Sequence, residues 1–292
     1  MVGLDTSHAV IFARMLNGKD TEVNRFGQIV KAFPGGSSHL PISRSRIEGI
    51  TEEVRKTGVN IVDSIEEAVV DCDAVLLESV DGGIHLEQLK RILPFKVPVF
   101  VDKPFALNAD DAMEMARLSG IYQVPLMSSS ALRYADEWKL ALSEGDKVTG
   151  ADCYGPLDFL EGQPGYFWYG IHTIETLYTF MGAGVEWVQA EAGIGHDIIT
   201  ARWKDGRIGT FRGNRGNQQF GAVAHFGGAS KHMFIRAGDT KYYARLMGHI
   251  LRFFNGDVVG PPLQETIEVI RFIEAANRSR QLNGERIRLQ TL

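Results

Sequence analysis

Val99-Phe100-Val101-Asp102-Lys103-Pro104-Phe105, followed by Leu107-Asn108-Ala109-Asp110-Asp111-Ala112-Met113, is a strand that stops abruptly before a helix that starts with a cap. The apolar run has the composition of a strand buried on both faces. Pro104 carries no N–H and stiffens the exit. Asn108, with Asp111 three residues on, predicts a helix N-terminus. Strand, tight exit and helix make half of a βαβ unit, and such units build parallel sheets. Ligands of these sheets sit at the carboxyl ends of the strands, so Lys103 stands where a reacting group would stand.

Outward from this stretch, strand and helix signals alternate over the first ~125 residues, as a parallel sheet requires. Val2-Gly3-Leu4 reads as the stump of a first strand, and Thr6 or Ser7 caps a helix. Gln28 to Phe33 reads as a second strand closed by Pro34-Gly35-Gly36, and Ser45 to Lys56 as a helix. Ser64-Ile65-Glu66-Glu67 matches a capping box. Asp73 to Ser79 is a further strand, Ile84 to Leu93 a helix. From Val148 onward, short alternating stretches with turn signals predict an antiparallel sheet, with Asp205-Gly206 as a hairpin turn. Helices are expected at Gly170 to Met181, Lys241 to Phe254 and Gln264 to Arg280. The fold class is therefore α/β, a Rossmann-type doubly wound parallel sheet plus an α+β domain on an open, mostly antiparallel sheet. The expected domains are 1–130 and 131–292, with the C-terminal helix free to pack back on the first.

Composition excludes several classes. Of 292 residues, 44% are hydrophobic and 23% charged, and the net charge of −5 has no basic stripe, so no nucleic-acid partner is expected. No apolar run approaches the ~18 residues of a membrane span. Met1-Val2-Gly3 does not read as a secretory signal. Cys72 and Cys153 lie far apart without a CxxC, which suits a reducing compartment and no zinc site. The expectation is a cytoplasmic protein.

Four constellations carry chemistry. The first is the turn Gly3-Leu4-Asp5-Thr6-Ser7-His8. A dinucleotide fold wants G-x-G-x-x-G here, so that amides at a helix N-terminus approach the pyrophosphate. Asp5 and His8 occupy two of the glycine positions; Asp5 brings a negative charge toward two phosphates, while Thr6 and Ser7 can donate. The second is the end of strand two, where NAD-preferring sites place an acid for the ribose. Ser37 and Ser38 stand there instead, with Arg44 and Arg46 nearby, which slightly favours NADP over NAD. The third, Glu78-Ser79-Val80 to His85, ends one strand and enters a helix, with Ser79, Val80 and His85 expected along the cofactor crevice. The fourth is Tyr166-Phe167-Trp168-Tyr169-Gly170-Ile171-His172-Thr173-Ile174-Glu175. His172 falls off the apolar stripe of its helix, and Glu175, three residues on, can orient the imidazole.

In this order the four pieces resemble the Gfo/Idh/MocA family of nicotinamide-dependent oxidoreductases, over nearly the whole chain. Asp102-Lys103-Pro104 resembles its Glu-Lys-Pro motif, and the His172 helix its second-domain catalytic helix. Ser130-Ala131-Leu132-Arg133-Tyr134 resembles the segment leading into the second domain. The resemblance implies hydride transfer between a nicotinamide and a sugar, polyol or cyclitol, with Lys103 and His172 as proton-transfer groups facing one cleft. It also implies that Asp102 and Lys103 contact the cofactor. The family usually has an Asp four residues before the His; this chain has Trp168, so no metal is expected. Trp168, Tyr166 and Tyr169 can stack on a sugar face, with Arg133 and Glu175 beside them. The lost glycines predict weak binding without NAD selectivity, and that Asp5→Gly tightens it. The alternative reading is a non-catalytic binding or regulatory protein that retains the fold. A homo-oligomer, dimer or tetramer, is expected through the open face of the second sheet, with Ala222, Ala224 and Phe226 toward the partner.

Overall fold

The computed structural model describes residues 1–18, 26–142, 147–236 and 238–289. They divide into two compact units, 1–129 with 243–266, and 130–242 with 267–292.

In the first unit the elements are α1 (Ser7–Asn17), β1 (Lys31–Ala32), α2 (Pro41–Arg55), β2 (Asn60–Ile61), α3 (Ile65–Val69), β3 (Val75–Leu77), α4 (His85–Ile92), β4 (Val99–Val101), α5 (Ala109–Tyr122) and β5 (Leu126–Ser128). Strands β3, β4 and β5 pair in parallel, as do β1 and β2. Val2 joins the two sets, bridging Phe33 on one side and Leu77 on the other. The spatial order is β2-β1-Val2-β3-β4-β5, the doubly wound order 3-2-1-4-5-6, whose switch point lies between the first and fourth strands. Every residue of β3 and β4 is buried, as strands covered on both faces must be. The caps read from the sequence are made: Ser64 Oγ accepts from the Glu67 N–H, and Asn108 Oδ1 from that of Asp111.

The second unit contains α6 (Asp136–Leu142), β6 (Gly150–Pro156), α7 (Gly170–Met181), β7 (Val185–Ala192), β8 (His196–Trp203), β9 (Ile208–Asn214), β10 (Gly221–His225) and β11 (Ser230–Phe234). Two helices, α8 (Lys241–Phe254) and α9 (Leu263–Gln281), and the short β12 (Ile287–Arg288) close the chain. Most of α8 belongs with the first unit and most of α9 with the second. The seven-stranded sheet runs β11-β10-β6-β9-β8-β7-β12 and is antiparallel except for the parallel pair β6–β9. Asp205 and Gly206 turn the β8–β9 hairpin, with Gly206 at φ +92°. Helix α7 packs on β6 and β9.

Alternation decides which sheet face is covered. Ala151, Cys153, Phe211, Ala222 and Ala224 are buried, while Asp152, Thr210, Val223 and His225 point to the other side. The sequence expectation for the open face is corrected: Ala222, Ala224 and Phe226 are buried in the unit's core, and the open face is polar, with Asp152 joining Thr210 and His225 by hydrogen bonds. Helix α6 was not foreseen, because the sequence signals read above assign no element between Tyr134 and Val148. No described helix is long and apolar enough to cross a membrane.

Candidate active site

The first-unit candidates gather at the carboxyl ends of the parallel strands. Gly3 has φ +93°, and a Cβ there would lie 2.3 Å from the Ser79 nitrogen, so the turn closes on the exit of β3 only with glycine. Asp5 is 0% exposed. Its Oδ2 accepts from Ser43 Oγ at 2.6 Å and its Oδ1 from the Val80 N–H at 2.9 Å. Ser43 Oγ in turn accepts from the Ser37 N–H at 2.8 Å. Asp5 thus clamps three loops of the crevice together. The expectation that its charge faces a pyrophosphate is corrected: the carboxyl points inward and is spent on protein donors, so Asp5→Gly would loosen the loops rather than relieve a repulsion.

Burial raises the Asp5 pKa above the ordinary aspartate value, against the opposing bonds from Ser43 and Val80. The folded state therefore holds this proton more tightly than the unfolded chain does, and stability falls as pH rises through the folded pKa. Asp5→Asn keeps an acceptor for Val80 and an amide for Ser43 without the charge. It should raise the unfolding temperature at about pH 7 and lose that advantage toward about pH 3, where the unfolded aspartate is protonated too. An equal change at both pH values would show that the charge is not responsible.

Thr6 caps α1, no acid occupies the first turn, and Ser7 is exposed there, so this helix end can meet an anion. At the end of β1, Ser37 is buried and Ser38 exposed, and the Arg44 guanidinium donates to the Ser38 carbonyl at 2.5 Å. Ser79 and Val80 are buried at the exit of β3. The hydroxyls of Ser37 and Ser79 are enclosed without a protein partner at two ends of the crevice. An open helix terminus and two orphaned hydroxyls at the switch point fit a dinucleotide. His85 is different: it is buried, with its ring nitrogens 3.1 Å from the Phe105 carbonyl and 2.7 Å from that of Ser79. It fixes these loops instead of lining a cofactor.

Lys103 follows β4 and is 7% exposed, and the Lys103–Pro104 peptide is cis. Asp102 beside it pairs with His8, Nδ1 to Oδ2 at 2.9 Å. His8 is buried against Phe12 and Tyr243. The sequence offered no hint of a pair separated by 94 residues. Burial pushes the Asp102 carboxyl up, but His8 and Lys103 outweigh it and hold it at about 2. Neighbouring Glu78, missed as a candidate, is raised well above the glutamate range by burial and then by the Asp102 charge.

In the second unit, His172 Nδ1 lies 2.7 Å from Ser130 Oγ. Glu175 does not orient the ring, as the sequence suggested. Its Oε2 accepts from the Ser130 N–H at 2.9 Å and from Arg133 Nε at 2.6 Å, so it anchors the segment that holds Ser130. Arg133 is largely enclosed in that ion pair. Tyr169 and Phe220 meet the imidazole edge-on, with ring centroids 5.8 and 6.1 Å away, and Trp168 stands against Tyr169. Trp168, Tyr169 and Phe220 are half-buried, an aromatic wall around His172. Tyr166 does not share it: it is fully buried, and its hydroxyl donates to Asp197 at 3.0 Å. Phe220 was missed because it lies 48 positions from His172 in a segment with no motif.

Comparison with known proteins agrees with this architecture. Residues 39–128 match the family model for the Gfo/Idh/MocA oxidoreductases, described as an oxidoreductase family with an NAD-binding Rossmann fold. No curated protein matches the chain. Among solved structures, a probable dehydrogenase from Thermotoga maritima superposes with a TM-score of 0.79 at 17% identity, over 99% of this chain and 98% of that one. Scyllo-inositol dehydrogenase from Lactobacillus casei, with bound NAD(H) and scyllo-inositol, gives 0.78 at 15% identity over 99% and 97%. Myo-inositol dehydrogenase from the same organism, with NAD(H) and myo-inositol, gives 0.76 at 14% over 100% and 96%. Residues 39–128 thus match the Gfo/Idh/MocA oxidoreductase family, and the chain as a whole has the fold of these dehydrogenases.

Proposed function

We propose that the protein is an NAD(P)-dependent oxidoreductase acting on a CH–OH group of a sugar, polyol or cyclitol. The observation that carries this reading is Lys103, placed at the carboxyl end of β4 beside the switch-point crevice. A bound nicotinamide would supply hydride transfer. The N-terminal turn of α1, at Thr6 and Ser7, would hold the pyrophosphate; Ser37, Ser38 and Arg44 the adenosine ribose; Ser79 and Val80 the nicotinamide half. Lys103 would meet the oxygen whose negative charge grows as hydride leaves, and His172, set by Ser130, would exchange its proton. Trp168, Tyr169 and Phe220 would offer apolar faces to a ring substrate.

Formation of reduced nicotinamide, followed by absorbance with NAD and NADP against inositols, aldoses and polyols, tests the reading. Turnover on at least one of them supports it. Binding of either cofactor without turnover on any would move the chain to the non-catalytic alternative. With Arg44 beside Ser38 and no acid after Phe33, NADP should bind more tightly than NAD, and Arg44→Ala should remove about tenfold of NADP affinity alone, as loss of one charge-assisted contact does. Equal losses for both cofactors would count against a 2′-phosphate site.

The same reading places the protein in a reducing, cytoplasmic compartment, on its two free cysteines. It also makes the chain a homo-oligomer through the polar open sheet face around Asp152, Thr210 and His225. A monomeric mass at micromolar concentration would refute the second point.

A further inference from the structure

We propose that His8, Glu78 and Asp102 hold a divalent metal ion beneath the first turn of α1. Among the described residues, this group alone offers three ligand atoms close together: one from each residue, all within 4.8 Å of one another. The fold brings them there from three elements. Leu77 and Val101 are register partners on β3 and β4, so Glu78 and Asp102 follow side by side at the strand ends. The first turn of α1 brings His8 onto them.

The second observation is Glu78 itself. It is 0% exposed, and neither of its carboxylate oxygens has a hydrogen-bond partner. Asp102 Oδ1 is enclosed and without a partner as well. Two buried carboxyl groups with three unsatisfied oxygens carry a large desolvation cost, and proteins meet such a cost with a proton, a paired cation or a metal. The Met1 ammonium acts on Glu78, and Lys103 on both carboxyls, electrostatically. A metal ion would give all three side chains one common partner. Bonds of about 2.1 Å place the ligand atoms of a tetrahedral ion ~3.4 Å apart. His8 Nδ1 and Asp102 Oδ2, at 2.9 Å, are already near that spacing, and all three ligand atoms lie within 4.8 Å of one another. One imidazole and two carboxylates suit four-coordinate zinc, whereas magnesium and manganese favour six-coordinate, oxygen-rich shells. The inference rests on the first unit alone and does not depend on the oxidoreductase reading.

The test uses the full chain, stripped with a chelator, then titrated with zinc chloride alone and, separately, manganese chloride alone. Calorimetry reads stoichiometry, and thermal unfolding reads linkage. One zinc ion per chain is expected, with the unfolding temperature rising by about 5–10 °C at a hundredfold excess over Kd. Glu78→Gln, which imitates the protonated acid, should lower the affinity at least ~100-fold and lose the rise. It should unfold in chelator at or above the wild-type temperature, so a folding failure is distinguishable. His225→Ala, at the exposed Asp152–His225 pair, should leave binding unchanged. Absence of stoichiometric binding, undiminished binding by Glu78→Gln, or loss of binding in His225→Ala would each overturn the proposal.

Discussion

Lys103→Met is expected to lower kcat about 10³-fold, while the dissociation constant for the cofactor changes by less than about threefold. The substitution keeps the unbranched stem, which is buried, and removes only the charged end. A general acid–base group contributes roughly 10²–10⁴-fold, and in the proposed role the ammonium would also face an oxygen where charge develops. A 10³-fold loss is about 4 kcal/mol of transition-state stabilisation. Steady-state kinetics and calorimetric titration with the cofactor separate the two effects. If cofactor affinity falls as far as kcat, Lys103 holds the cofactor and is not the proton-transfer group. His172→Ala should reduce kcat comparably, and Ser130→Ala less, with a displaced pH profile, because Ser130 would act through the imidazole it holds.

The parts of this protein legible in its sequence are those set by local chemistry. Asn108 and Ser64 cap helices, and Asp205-Gly206 makes a hairpin, because each needs only its near neighbours. The Rossmann-type order follows from the alternation of strand and helix, although its first strand is reduced to Val2 and Gln28 to Phe33 contributes only Lys31–Ala32. Lys103 and His172 stand out in the sequence because their motifs are contiguous, and they lie at the end of β4 and in the first turn of α7. What failed depended on partners distant in the chain. Asp5 read as a charge facing a phosphate, and its true partners, Ser43 and Val80, are 38 and 75 residues away. Glu175 read as the orienter of His172 through helical spacing, yet an ion pair with Arg133 draws it to the other segment. The alanines of β10 read as an interface, because alternation tells that two faces differ but not which one the helices cover.

Asp197→Ala is expected to cost about 2–3 kcal/mol of stability, with little effect on activity per folded molecule. Asp197 is fully buried on β8. Its Oδ1 accepts from Arg215 at 2.6 Å, and its Oδ2 from Arg280 at 2.8 Å and from the Tyr166 hydroxyl at 3.0 Å. The two guanidiniums also lie on the ring of Phe159, at 5.5 and 4.9 Å from its centroid. Burial and the Asp197 charge push the Tyr166 pKa up, so the phenol remains a donor at any working pH. Without the carboxylate, two like charges share one aromatic ring with no anion between them. Removing one partner of a buried pair costs about 3–5 kcal/mol. Both arginines are about a third exposed, so water screens part of that loss. Tyr166→Phe removes one neutral donor and should cost about 1 kcal/mol. Urea unfolding of the two variants and of the double variant measures the coupling, which should leave the double variant little worse than Asp197→Ala. Kinetics give the contrary outcome its meaning. If Tyr166→Phe raises KM for a polyol while stability is unchanged, Tyr166 contacts substrate, and the network around Asp197 is then part of the active site and not of the core.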